Sequence, residues 1–125
     1  MFKVFNPRQS FGKRAEDEAC RFLEQNGYRV LARNVRDRFA EIDIVARDKD
    51  TVCFVEVKAR GSDRFGLPQE AVLGRKQAKL CLAAEKFLAD RGWTDAPSRF
   101  DVVAVFAEKE KLRCELIKDA FGARE

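Results

Sequence analysis

The chain has 125 residues, with 25 Lys and Arg against 21 Asp and Glu, no His, and a formal net charge of +4. At 46% hydrophobic and 37% charged it is long enough for one domain with a packed core, and too interrupted by charge for a membrane span. The lack of imidazole excludes Ser-His-Asp and Cys-His catalysis and His-ligated metals, leaving carboxylates, Lys, Arg and a hard, oxygen-binding cation.

A first helix is predicted from Ser10 to Asn26, with Ser10 as N-cap, Gly27 as stop, and Phe11, Ala15, Ala19, Phe22 and Leu23 on one face. Tyr28–Arg33 reads as a strand, because Tyr28, Val30 and Leu31 favour extended backbone. A hairpin follows, with strands Glu41–Ala46 and Val52–Ala59 joined through Asp48-Lys49-Asp50-Thr51. The loop Arg60–Leu67 leads to Pro68, which suits the first turn of a long helix ending near Arg91-Gly92. That helix is expected to bury Leu73, Gln77, Leu80, Ala84, Phe87 and Leu88 and to turn Arg75, Lys79 and Lys86 outward. Strands Phe100–Ala107 and Lys111–Ile117 close the chain around Glu108-Lys109-Glu110. The order αβββαββ argues for a single α/β domain over residues 1–125, a mixed central sheet flanked by helices.

Cys20, Cys53, Cys81 and Cys114 show no Cys-x-x-Cys spacing and sit among apolar residues. They are expected to be free, buried thiols in a reducing cytoplasm. The N-terminal residues lack the apolar run of a secretory signal.

The charge is unevenly placed. Residues 1–40 are net +4, 41–57 net −3, 58–79 net +4 and 80–125 net −1. Chance scatter in a highly charged chain accounts for this, and so does a negative site set within a positive, polyanion-binding surface.

Val52-Cys53-Phe54-Val55-Glu56-Val57-Lys58 reads as a central strand covered on both faces, yet Glu56 and Lys58 interrupt it on the face of Val52 and Phe54. Buried charge is costly unless it is paired or bound to metal. A turn centred on Lys49-Asp50 sets Asp43 directly opposite Glu56. At the roughly 5 Å spacing of cross-strand partners, two carboxylates repel unless a cation lies between them. Such a trio suits metal-assisted phosphodiester hydrolysis. Asp43, Glu56 and the Val57 carbonyl would ligate Mg²⁺ or Mn²⁺, and Lys58 would orient water or stabilise the developing charge. The competing reading is a Glu56–Lys58 ion pair at a sheet edge with Asp43 in solvent.

Ala40-Glu41-Ile42-Asp43-Ile44-Val45-Ala46 and Val52-Cys53-Phe54-Val55-Glu56-Val57-Lys58-Ala59-Arg60 carry a resemblance. With Gly12, Glu16, Ala19, Phe22-Leu23, Gly27-Tyr28, Arg33-Asn34-Val35-Arg36, Phe65-Gly66-Leu67-Pro68-Gln69-Glu70-Ala71-Val72, Lys76 and Arg99-Phe100-Asp101-Val102-Val103, the chain resembles the YraN-like family of small bacterial proteins. That family is similar to archaeal Holliday junction resolvases of the PD-(D/E)xK nuclease superfamily. The resemblance implies a restriction-endonuclease-like core with Asp43, Glu56 and Lys58 as catalytic residues. It also points to Glu16 as a further acidic member, where helical spacing alone leaves Glu16 and Glu18 equivalent. The family usually has Gly at the positions of Ala15 and Ala40, and the superfamily nominally has Pro at Ile42.

Nucleic-acid contacts are expected from Arg29, Arg33, Arg36 and Arg38, from Arg60 and Arg64, and from Arg75, Lys76 and Lys79, although the helical stripe also reads as a solvated face. The expected activity is that of a Mg²⁺- or Mn²⁺-dependent endonuclease on DNA, in particular structured or branched DNA. The alternatives are a non-catalytic nucleic-acid-binding module of the same fold, or a scaffold for an acidic protein. No membrane partner is expected. A homodimer would match the two sites that symmetric resolution of two strands requires.

Overall fold

A computed structural model describes residues 10–60 and 74–121. Its elements run α1 (Phe11–Gln25), β1 (Arg29–Arg36), β2 (Glu41–Asp48), β3 (Thr51–Arg60), α2 (Gly74–Arg91), β4 (Ser98–Glu108) and β5 (Lys111–Phe121). This is the expected αβββαββ order, and the differences lie at the ends. Pro68, Arg64 and Leu73 fall outside the described residues. Ser10 caps α1 by accepting a hydrogen bond from the Lys13 N–H at 3.1 Å, and Gly27 stops it at a φ of 88°, a left-handed turn that favours glycine.

The strands form one sheet in the order β1-β2-β3-β4-β5. All neighbours are antiparallel except β3 and β4, which run parallel and are joined through α2. Alternate side chains face opposite helices. Ala15, Ala19 and Leu23 of α1 pack on Ile44, Ala46, Val55 and Val103. Leu80, Ala84 and Phe87 of α2 pack on Val45, Phe54 and Val102 on the other face. Both faces of β3 are therefore covered, which explains its apolar run from Val52 to Val55. Gln77, expected in the α2 interface, is half-buried, while Cys81 and Ala83 join the buried set. The four thiols are free. Cys20 and Cys53 lie in the α1 layer and Cys81 in the α2 layer, and burial pushes the Cys53 thiol up to about 12.

Two strands outrun their expected limits because irregular backbone continues them. β1 passes Arg33 through Asn34, at a φ of 53°, and shifts register between Val30 and Ala32. β5 passes Ile117 through Asp119, at a φ of 52°, and shifts register between Phe100 and Val102 of β4. At that second irregularity the fully buried Asp101 takes over part of the ladder, accepting the Asp119 N–H at 2.9 Å. Asp101 also accepts from Arg99 Nε at 3.0 Å, and Arg99 reaches on to the Tyr28 hydroxyl at 2.7 Å and the Asp48 carboxylate at 2.9 Å. One guanidinium thus ties the ends of β2, β4 and the α1–β1 turn together. Among the described residues no helix is long and apolar enough to cross a membrane.

The Asp101 network generates a stability test. Asp101→Ala leaves the Asp119 N–H without its acceptor and Arg99 with Asp48 alone as carboxylate partner, and should cost about 2 kcal/mol. Arg36→Ala removes only the exposed pair with Glu41 and should cost less than about 1 kcal/mol. Urea denaturation with both variants checks the difference.

Candidate active site

The site forms where β2 and β3 part. The turn at Lys49-Asp50 produces the expected register, with Ala46 facing Cys53, Val45 facing Phe54 and Ile44 facing Val55. Ile44 and Val55 are the last pair in that direction, while β3 stays paired with β4 through Arg60 and Phe106. A backbone N–H left at such a parting needs an acceptor. Asp43 supplies it, its Oδ2 accepting the Val57 N–H at 2.8 Å. Val57, expected to offer its carbonyl, thus meets Asp43 through its N–H.

Glu56 comes next to this contact and is 3% exposed. Its Oε2 lies 3.0 Å from the Lys76 ammonium of α2, and its Oε1 is buried without a hydrogen-bond partner among the described residues. Burial first, and then the charge of Glu56, push the Asp43 carboxyl up to about 6 against the stabilising Val57 N–H. Burial and the neighbouring Lys76 hold Lys58 below the ordinary lysine range. Burial also works against the charge on Lys76, but its bond to Glu56 outweighs this and holds it above that range. Asp43, Glu56 and Lys58 are therefore brought together. Asp43 lies in a half-buried cleft rather than in solvent, and Glu56 pairs with Lys76 rather than Lys58.

Glu16 and Glu18 take different partners, and β1 supplies those of Glu16. Arg33 Nη2 bonds Glu16 at 2.9 Å and Asp17 at 2.7 Å, and Asn34 Nδ2 bonds Glu16 at 2.9 Å. The Glu16 charge bears on Asp43, whereas Glu18 pairs with Arg21 at 3.1 Å. Arg33, expected on phosphate, is thus engaged by α1. Arg36 pairs with Glu41 at 2.8 Å, and the Arg38 guanidinium lies 4.9 Å from the Phe39 ring centre. Arg60 is half-buried at the end of β3. Arg75 and Lys79 are exposed, and with Lys76 and Ala40 they line a cleft of about 590 Å³. Lys76 is common to this cleft and to Glu56.

Asp43 and Glu56 are the side chains that could hold a metal. The unpartnered Glu56 Oε1 beside a carboxyl whose charge is penalised is the arrangement a divalent cation would relieve. Among the described residues no group of three or more His, Cys, Asp or Glu side chains is gathered for a metal. A cation here would rest on two protein carboxylates and complete its shell with other oxygens, as Mg²⁺ commonly does.

The sequence profile of the uncharacterised protein family UPF0102 matches residues 15–105. The chain belongs to the UPF0102 family. A UPF0102 protein of Desulforapulum autotrophicum is 52% identical over 116 residues, covering 93% of this chain and 96% of its own. One from Syntrophus aciditrophicus is 51% identical over 110 residues, covering 88% and 87%. A third, from Desulfosudis oleivorans, is 43% identical over 120 residues, covering 96% of each chain. The UPF0102 match spans every residue of the Asp43–Glu56–Lys58 cluster together with Glu16 and Lys76.

A raised carboxyl favours the fold in its protonated form. The contribution of Asp43 is complete below pH 3.8 and is lost as pH rises through about 6. With chelator present, Asp43→Asn should match the native chain near pH 4 and exceed it by about 2 kcal/mol at pH 8. Paired thermal melts across this range check the sign. A less stable Asn variant at pH 8 would count against the repulsion.

Proposed function

We propose that the chain is a metal-dependent endonuclease that hydrolyses phosphodiester bonds of DNA on a restriction-endonuclease-like core, with structured or branched DNA as the preferred substrate class. The observation that carries this reading is the buried Glu56 oxygen without a partner among the described residues, next to Asp43 and on the strand face of Lys58. Asp43 and Glu56 would hold the ion. Mg²⁺ or Mn²⁺ bound there supplies an acidified water and polarises a phosphoryl oxygen. Lys58, set on the same strand and held below its ordinary range, donates to the attacking water or to the charge that gathers on phosphorus. Glu16, fixed by Arg33 and Asn34, adds a negative charge that favours a cation at Asp43.

Phosphate binding falls to the cationic cleft of Arg75, Lys76 and Lys79, which opens from the site, with Arg60 at the end of β3. These groups fix the backbone of a nucleic acid without reading its bases. A homodimer would present two such sites to two strands. The non-catalytic alternative keeps the same cleft and uses the Lys76–Glu56 pair only to hold the fold.

Purified protein incubated with duplex, nicked, flap and four-way-junction DNA in Mn²⁺ or chelator separates these readings. Metal-dependent cleavage is expected, reduced by at least about a hundredfold in Asp43→Asn and in Lys58→Met. Cleavage that persists in Asp43→Asn would overturn the assigned site. Salt-sensitive binding without cleavage would establish the binding module instead.

A further inference from the structure

Lys76 and Glu56 form an unequal pair. Glu56 belongs to the central strand and its side chain is 4% exposed, whereas Lys76 comes from a helix and its side chain is 43% exposed. The carboxylate is fixed by the sheet, but the ammonium sits on a flexible four-carbon stem with water on one side. When the two separate, Lys76 is the partner that moves. The cleft shared with Arg75 and Lys79 gives it somewhere to go.

The local charges sharpen the point. Asp43 and Glu56 bring two negative charges, and Lys58 and Lys76 two positive ones, each felt by the others. The cluster is balanced with Lys76 in place. Two further positive charges would face two ammoniums, one of them already in contact with a carboxylate that the ion needs. Lys58 rises from the same strand as Glu56, whereas Lys76 stands on a helix and already lines the cleft. The balance returns towards neutrality only if Lys76 withdraws.

We infer that Lys76 is a resident counter-ion of Glu56 that a divalent cation must displace, so that this helix lysine sets how weakly the empty site takes up metal. The inference rests on the metal-binding reading of Asp43 and Glu56 and adds to it a residue that opposes the ion. In the metal-free protein Lys76 compensates the buried Glu56 charge. In the loaded protein it is released towards the cationic cleft that it already lines. A merely structural clamp predicts the opposite behaviour, because removing a clamp loosens the carboxylates and weakens any ion they hold.

The test is titration of the full chain with Mn²⁺ alone by calorimetry, using the native sequence, Lys76→Met, Lys76→Gln, Lys76→Arg and Asp43→Asn, with melts of each in chelator and in Mn²⁺. Lys76→Met should bind Mn²⁺ about tenfold tighter than the native chain, a coupling of ordinary size between linked sites. It should also melt lower in chelator, and Mn²⁺ should raise its Tm by more than it raises the native value. Lys76→Arg should bind Mn²⁺ much as the native chain does. If the Met variant does not fold, Lys76→Gln, which keeps a polar end without the charge, carries the comparison. Mn²⁺ binding that Asp43→Asn abolishes but that the uncharged Lys76 variants leave unchanged or weaken would overturn the counter-ion while leaving the metal site intact. No Mn²⁺ binding by any of the chains would overturn the metal site, and the counter-ion with it.

Discussion

Glu56 lies within the central strand of the sheet, and the cost of keeping a carboxylate there shapes what surrounds it. A lone charge at 3% exposure would be strongly disfavoured, so α2 brings Lys76 against one oxygen. The second oxygen has no partner among the described residues, and the charge of Asp43, bonded to the Val57 N–H where β2 and β3 part, bears on Glu56. Both helices are drawn into this accommodation. α2 supplies Lys76 from one face of the sheet, and α1 supplies Glu16, whose charge also bears on Asp43, from the other. The sheet is thus continuous on the β4 side of Glu56, while on the β2 side the pairing stops at Val55 and Asp43 meets the strand through the Val57 N–H.

Asp43 and Asp101 solve one backbone problem in two places. Each stands where a ladder is broken, and each gives its carboxylate to an N–H that lacks a strand partner: Val57 for Asp43, Asp119 for Asp101. Their surroundings then set them apart. Asp101 meets a guanidinium that continues to Tyr28 and Asp48, so its charge is absorbed in tying elements together. Asp43 meets another carboxylate, so its charge is opposed by Glu56 as well as by burial, and the Val57 N–H and the Lys76 charge offset this only in part. Ala15 is fully buried against one face of the sheet, and Ala40 is half-buried beside the cleft and packed on the other core layer.

The parts of this arrangement that depend on short-range rules were legible in the sequence. Ser10 and Gly27 bounded α1, the alternation in β3 put Glu56 and Lys58 on one face, and the Lys49-Asp50 turn gave the hairpin register. The parts that depend on tertiary approach were not. Lys76 read as one more basic residue at the start of a helix, because nothing local says that α2 crosses the sheet at Glu56. Glu16 and Glu18 flank the same apolar face of α1, and only the arrival of Arg33 from β1 separates them. The extensions of β1 and β5 rely on Asn34 and Asp119 in left-handed backbone, which short polar residues tolerate but do not announce.

The burial of the thiols gives the molecule an intrinsic clock for its own opening. Cys20 and Cys53 are sealed in the layer under α1 and Cys81 in the layer under α2, and burial keeps the Cys53 thiol protonated at neutral pH. A thiol reagent can reach them only while the covering helix is away from the sheet, so alkylation rates read the frequency of that event. Because the reporters lie on opposite faces, peptide-resolved labelling would time the two helices separately in the native chain, without any introduced probe.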